Sequence, residues 1–128
     1  MSDTVRGGVA LAAAGAALGA LLRAGAVELT PPGMSAVWVI VLVNVAGSFL
    51  LGALPALRAV RRSPALSVFL GPGVLGGFTT VSAYALTTHD LISDDPLLAA
   101  LHLIGTLALA VPAAALGRAL VRRREADR

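Results

Sequence analysis

Four long runs, nearly free of charge, constrain this chain more than any other feature. They cover about 7–27, 36–57, 65–87 and 96–121. About 20 apolar residues carry a helix across the hydrocarbon core of a bilayer. Lipid offers no water to backbone groups, so helices are the expected form. The alternating ten-residue segments of a membrane barrel do not occur. Hydrophobic residues make up 57% of the chain and charged residues 13%, against roughly 25% charged in a soluble domain. A chain of 128 residues could not hide that much apolar surface from water. The expected fold class is all-α integral membrane: one four-span transmembrane domain over 1–128. The connections at 28–35, 58–64 and 88–95 are too short to hold a second domain. Arg6 before an apolar run resembles a signal peptide, but the run is long and three more follow, so no cleavage is expected.

Arginine placement gives an orientation. All ten basic residues are arginine. Arg58, Arg61 and Arg62 lie in the second connection. Arg118, Arg122, Arg123, Arg124 and Arg128 lie at the C-terminal end, and Arg6 at the N-terminal end. The first and third connections hold none, so the positive-inside rule places both termini in the cytoplasm. Glu28, Asp90, Asp94 and Asp95 fall on the outer side. Because the arginines flank apolar runs, the basic balance points to membrane orientation and not to nucleic acid. The absence of cysteine excludes disulfides, thiolate metal sites and a cysteine nucleophile.

Polar groups inside a span are costly and are functional candidates. Asn44 lies midway along the second span, with Gly47 and Ser48 after it. Its amide suits either an interhelical bond or a pore lining. The third span carries Gly76-Gly77-Phe78-Thr79-Thr80-Val81-Ser82-Ala83-Tyr84. Two glycines and three hydroxyl residues weaken a helix there. A broken third helix would free carbonyl oxygens, which are hard ligands for a small hard cation; the alternative is a plain helix closely packed through small residues. In the fourth span His102 and Thr106 share a face. Thr106 can bond its own backbone, His102 can be a neutral or a proton-carrying group, and Pro112 is expected to kink the helix. Arg23, near the outer end of the first span, either snorkels or lines an anion-attracting vestibule. Gly15 and Gly19 form a small-xxx-small packing pair. No carboxylate lies deep in a span and no nucleophile–base set is visible, so no enzyme is expected.

Three motifs together resemble the bacterial fluoride channel family called Fluc or CrcB: Gly19-x-x-x-Arg23; Asn44-x-x-Gly47-Ser48-Phe49-x-x-Gly52; and Gly76-Gly77-x-Thr79-Thr80-x-Ser82. The likeness covers nearly the whole chain in length, span number and motif order. It implies an antiparallel, dual-topology dimer in a bacterial inner membrane, with two pores along its interface passing fluoride passively out of the cytoplasm. It implies a structural sodium ion (Na+), not transported, held by the backbone carbonyls of Gly76 and Thr79. It also implies a pore path including Asn44 and Ser82. Fluoride holds its water tightly, so amide N–H groups, hydroxyls and positive ring edges must replace that water.

Where the family carries two phenylalanines around the motif serine, this chain has Val81 and Tyr84. Where the family commonly has tyrosine and serine in the fourth span, it has His102 and Thr106, with Ala110 one turn on. A homodimer of opposed subunits needs a weak arginine bias, whereas this bias is strong. The expected partner is therefore a homologous, oppositely oriented subunit. The alternatives are a non-conducting or partly conducting subunit, or a small four-span multidrug exporter. The exporter would need an acid within the first span, where the nearest is Glu28.

Overall fold

A computed structural model describes residues 3–126; Asp127 and Arg128, the last of the C-terminal arginines, lie outside them. Every element among the described residues is helical. Helix α1 spans Asp3–Glu28 and α2 spans Ala36–Ala53, followed by a 3-10 turn at Leu54–Ala56. Then come α3 (Arg58–Arg62) and α4 (Pro64–Val68), a π-helical stretch at Phe69–Leu75, α5 (Gly76–Phe78), α6 (Val81–Asp94) and α7 (Pro96–Ala126). Four segments are long and apolar enough to cross a bilayer: Thr4–Glu28, Ala36–Ala56, Pro64–Asp94 and Pro96–Arg123. The protein is a multi-pass, all-α membrane protein.

Local chemistry sets the helix ends. Pro31, Pro32 and Gly33 separate the first two spans, and Gly33 takes φ +93°, a conformation glycine adopts without strain. Ser35 then caps α2, its Oγ accepting from the Val37 amide at 3.3 Å. Ser63 caps α4 in the same way through the Leu66 amide at 3.2 Å, and Pro64 starts that helix at a position that needs no N–H.

One boundary differs from expectation. The connection expected at 88–95 is almost entirely helix: α6 runs to Asp94, and only Asp95 separates it from α7. The reason is that Thr88 is buried against the fourth span and bonded to His102. One residue suffices for the turn, because Asp95 caps the next helix through the Leu98 amide at 2.9 Å and Pro96 follows. The connection expected at 58–64 contains the short helix α3. Helix α7 continues through Pro112.

The spans form two closely packed pairs, each made possible by bare glycines. Helix α1 runs parallel to the first half of the third span, with Gly15 against Gly73 and Val74, and Gly19 against Gly77 and Phe78. Helix α2 runs parallel to α7, with Gly52 against Ala114 and Gly117 against Phe49 and Ala53, and with Asn44 and Ser48 near Thr106 and Ala110 while Ala56 lies near Leu120 and Val121. A β-carbon at Gly73 would come within 3.0 Å of the Gly15 Cα, and one at Gly117 within 3.0 Å of the Ala53 nitrogen. Without a hydrophobic force between helices in lipid, such backbone approach is what holds spans together. Val37, Val39, Ile40, Val41 and Val43 bury α2 at the centre of the subunit, while Leu21, Leu97 and Val111 remain exposed.

Candidate functional site

The third span is interrupted at Thr79 and Thr80. Both residues are extended, with ψ 149° at Thr79 and ψ 120° at Thr80. The chain leaves α5 there and re-enters helix at Val81. Upstream, Pro72 lies inside the π-helical stretch. Proline has no N–H for a helix ladder, and the wider turn accommodates it.

The hydrogen bonds at the interruption follow a definite pattern. The Thr80 amide donates to Asn44 Oδ1 at 2.9 Å, and Asn44 Nδ2 donates to the Thr80 carbonyl at 3.3 Å. Only one orientation of the Asn44 amide satisfies both bonds. The Ala83 amide donates to Thr80 Oγ1 at 3.1 Å, so Thr80 is the N-cap of α6. In an unbroken helix the Thr80 amide would bond the Gly76 carbonyl, and the Ala83 amide would bond the Thr79 carbonyl. Both amides are engaged elsewhere, which leaves those two oxygens without their helical donors. Thr79 itself closes the end of α5, its amide at 3.0 Å and its hydroxyl at 2.9 Å both donating to the Leu75 carbonyl. Gly47 leaves room for the Thr79 methyl and the Phe78 ring.

A cavity of about 390 Å³ opens at this point, lined by Asn44, Ser48, Gly76, Thr79, Thr80, Val81, Tyr84, Thr106, Leu107 and Ala110. It draws together most of the candidates named from the sequence. Asn44 keeps a second amide proton after serving Thr80. Ser48, four residues along the same helix face, makes no side-chain hydrogen bond among the described residues. The Ser82 hydroxyl is exposed beside the cavity and lies 3.2 Å from Thr80 Oγ1. Val81 is 80% exposed. Tyr84 offers its ring to the cavity, while its hydroxyl donates to the Leu103 carbonyl on α7. Thr106 directs its only hydroxyl proton to the His102 carbonyl at 2.6 Å, so it lines the cavity as an acceptor.

His102 does not line the cavity. It is 3% exposed, its ring centroid 5.2 Å from that of Tyr84. Its Nδ1 lies 2.9 Å from Thr88 Oγ1, and Thr88 gives its proton to the Tyr84 carbonyl at 2.8 Å. Thr88 is thereby left as acceptor, which puts the imidazole proton on Nδ1. Arg23 is half-buried on α1, away from the cavity lining, with its Nε buried and unpartnered. Ser48, Thr80 and Thr88 were not singled out as site residues in the sequence. For Ser48 a signal was present, since Asn44 and Ser48 are spaced i, i+4 on one helix face.

A model of the family described as CrcB-like protein, Camphor Resistance (CrcB), matches residues 10–118. The chain belongs to the CrcB-like family. Relatives within it include "Fluoride-specific ion channel FluC 2" of Thermobifida fusca (strain YX), 47% identical over 94% of each chain. "Fluoride-specific ion channel FluC 1" of Rhodococcus jostii (strain RHA1) is 44% identical over 85% of this chain and 81% of its own. "Fluoride-specific ion channel FluC" of Rhizobium meliloti (strain 1021) is 37% identical over 89% of this chain and 95% of its own. The CrcB-like match runs from within the first span to Arg118 and so includes the interrupted third span.

Proposed function

We propose that this chain is a subunit of a fluoride-specific channel that lets fluoride leave the cytoplasm down its gradient. One observation carries the reading: an open cavity at mid-span whose lining includes the Asn44 amide, with one proton beyond those serving Thr80, and the Ser48 hydroxyl, while Ser82 follows the lining residue Val81 in the chain. Fluoride is an acceptor only, so spare donors are what a dehydrated ion requires. The names of the relatives, at up to 47% identity, support the same ion. No enzymatic role is assigned.

The cavity lies on the outside of the single subunit, and Val81, Ser82 and Gly76 are exposed beside it. Polar groups at this depth need a protein cover, because lipid cannot satisfy them. The cover is a second, antiparallel subunit, and the strong arginine bias favours a homologous chain of opposite orientation. Both termini of the present chain then face the cytoplasm, in a bacterial inner membrane. Arg23 serves as a vestibule cation for the arriving anion.

The carbonyls of Gly76 and Thr79 fit a structural sodium ion, since both have lost their helical donors and uncovered carbonyls are hard oxygen ligands. The ion would supply positive charge where broken helices from two subunits meet. A higher thermal midpoint in sodium than in N-methylglucamine chloride would support this, and equal midpoints would remove the sodium assignment.

The channel reading is tested by fluoride efflux from liposomes, measured with a fluoride electrode. The chain alone should pass little fluoride, and the chain with its homologous partner should pass it readily. Robust efflux from the chain alone would overturn the unequal pair. Absence of efflux from a correctly assembled pair would overturn the channel.

A further inference from the structure

Among the described residues, the hydrogen bonds that join α6 to α7 lie at His102 and its neighbour. Thr88 Oγ1 meets the imidazole Nδ1, and the Tyr84 hydroxyl donates to the Leu103 carbonyl. Tyr84 lines the cavity and His102 does not, so this contact holds one wall from behind. With the Nδ1 proton given to Thr88, Nε2 is a bare acceptor, buried and without a partner among the described residues. A second proton would sit there with no acceptor and would bring charge into a span, a costly state. No neighbouring group offsets that cost. From α6 the ring is faced by Tyr84 and Thr88, while the side chains of His89 and Asp90 are 82% and 70% exposed and Asp94 is exposed at the helix end. Helix α2, the other span packed on α7, holds no titratable residue, and α7 holds none besides His102 before Arg118.

We propose that His102 is a proton-sensitive positioning residue: its neutral imidazole holds Tyr84 in the cavity wall, and uptake of a proton at Nε2 releases α6 from α7. As a control on fluoride passage this rests on the channel reading above; as a property of the α6–α7 contact it does not. The backbone already has a joint for such a release. Thr79 and Thr80 are extended, so α6 hinges at its own N-cap. Thr88 lies about 12 Å further along the helix, at 1.5 Å per residue. Helix α2 stays on α7 through the bare backbones of Gly52 and Gly117, and the single residue Asp95 keeps the outer ends of α6 and α7 together. The motion is thus confined to the stretch that carries Tyr84. The opened contact takes its proton near the ordinary imidazole value of about 6.5, whereas the closed contact offers that proton no acceptor. The contact is therefore fully held above about pH 6.5, and each pH unit below it favours opening by up to about tenfold.

Amide hydrogen exchange of the full chain in mild detergent, corrected for intrinsic rates, tests the contact between about pH 8 and about pH 5. In wild type the protection of α6 should fall about tenfold per pH unit below about 6.5, while that of α2 holds. His102→Asn keeps an N–H for Thr88 but takes up no proton, so its α6 protection should be flat. His89→Gln removes the exposed imidazole and should follow wild type. Flat protection in wild type, a flat profile in His89→Gln, or equal loss from α2 and α6 would each overturn the proposal. If His102→Asn does not fold, His89→Gln decides. It leaves His102 as the only histidine, and a nitrogen NMR spectrum with the proton on Nε2 at neutral pH would overturn the device. Fluoride efflux from the assembled pair, less the leak of protein-free liposomes, should decline over the same acid range in wild type and not in His102→Asn. Efflux indifferent to pH while α6 loosens would overturn the control of passage. Absence of efflux at every pH would count against the channel reading instead, and the exchange result would still decide the contact.

Discussion

Asn44 and Thr80, thirty-six positions apart, are joined by two hydrogen bonds that run in opposite directions between one side-chain amide and one backbone unit. The pairing fixes where the third span breaks and uses up half of what the Asn44 amide can offer. Asn44 also lines the cavity. One residue on α2 therefore both holds the interruption open and contributes to its lining.

Asn44→Asp should abolish fluoride efflux from the assembled channel. A carboxylate keeps the bond from the Thr80 amide but sets a second acceptor against the Thr80 carbonyl, and it puts negative charge beside the anion's route. Stability should fall by about 1–3 kcal/mol, the cost of a buried acceptor left unsatisfied. Efflux and a denaturation midpoint check the two parts separately; unchanged conduction would remove Asn44 from the pore.

Val81→Phe should raise efflux roughly two- to tenfold, the range that an aromatic contact of about 0.5–1.5 kcal/mol supplies. Val81→Leu, which adds bulk without a positive ring edge, should not. The side chain is 80% exposed in the single subunit, so either replacement fits without disturbing the fold. An equal response to both would mean that size, not ring electrostatics, acts at this position.

Gly77→Ala should destabilise the subunit by about 1–3 kcal/mol, as overpacking does. The added methyl would lie 2.7 Å from the Ala16 Cα and 2.8 Å from its carbonyl carbon, atoms that cannot move aside. Gly8→Ala meets nothing within 4 Å and should be neutral or slightly stabilising. Thermal unfolding in detergent distinguishes the two, and a tolerated Gly77→Ala would contradict the close pairing of α1 with the third span.

Thr88 and His102 should show a coupling of about 0.6 kcal/mol, and no more than about 1.7, in a double-mutant cycle of Thr88→Val and His102→Ala. Thr88→Val removes the acceptor for the imidazole proton and the donor to Tyr84 together. A coupling of zero would mean that the 2.9 Å contact contributes nothing to holding α6 on α7.

The four spans were legible because hydropathy is a bulk property, carried by every residue in a run. The weakness at Gly76 to Thr80 was legible for a related reason, since glycines and hydroxyls are conspicuous in an apolar helix. The partner that settles it was not. Asn44 reads locally as a polar residue in a helix, and nothing near it in sequence points to Thr80. Thr88 was assigned to a connection because acids and a histidine follow it, and only the buried fourth-span face shows why helix continues past it. Gly71-Pro72-Gly73 signals a disturbed ladder, but composition does not say whether a chain will kink, break or widen there.

The glycine contacts divide the subunit unevenly across one covalent joint. Residues up to Thr79 are packed on α1, and residues after Thr80 are fastened to α7 through Thr88 and Tyr84. The carbonyls of Gly76 and Thr79 belong to the first body, while most of the donors lining the cavity belong to the second. Alignment between the sodium ion proposed for those carbonyls and the donors beside it is thus a matter of registration between two parts of the subunit. A shim as small as one methyl group between α1 and α5 would offset that alignment without touching a single lining residue.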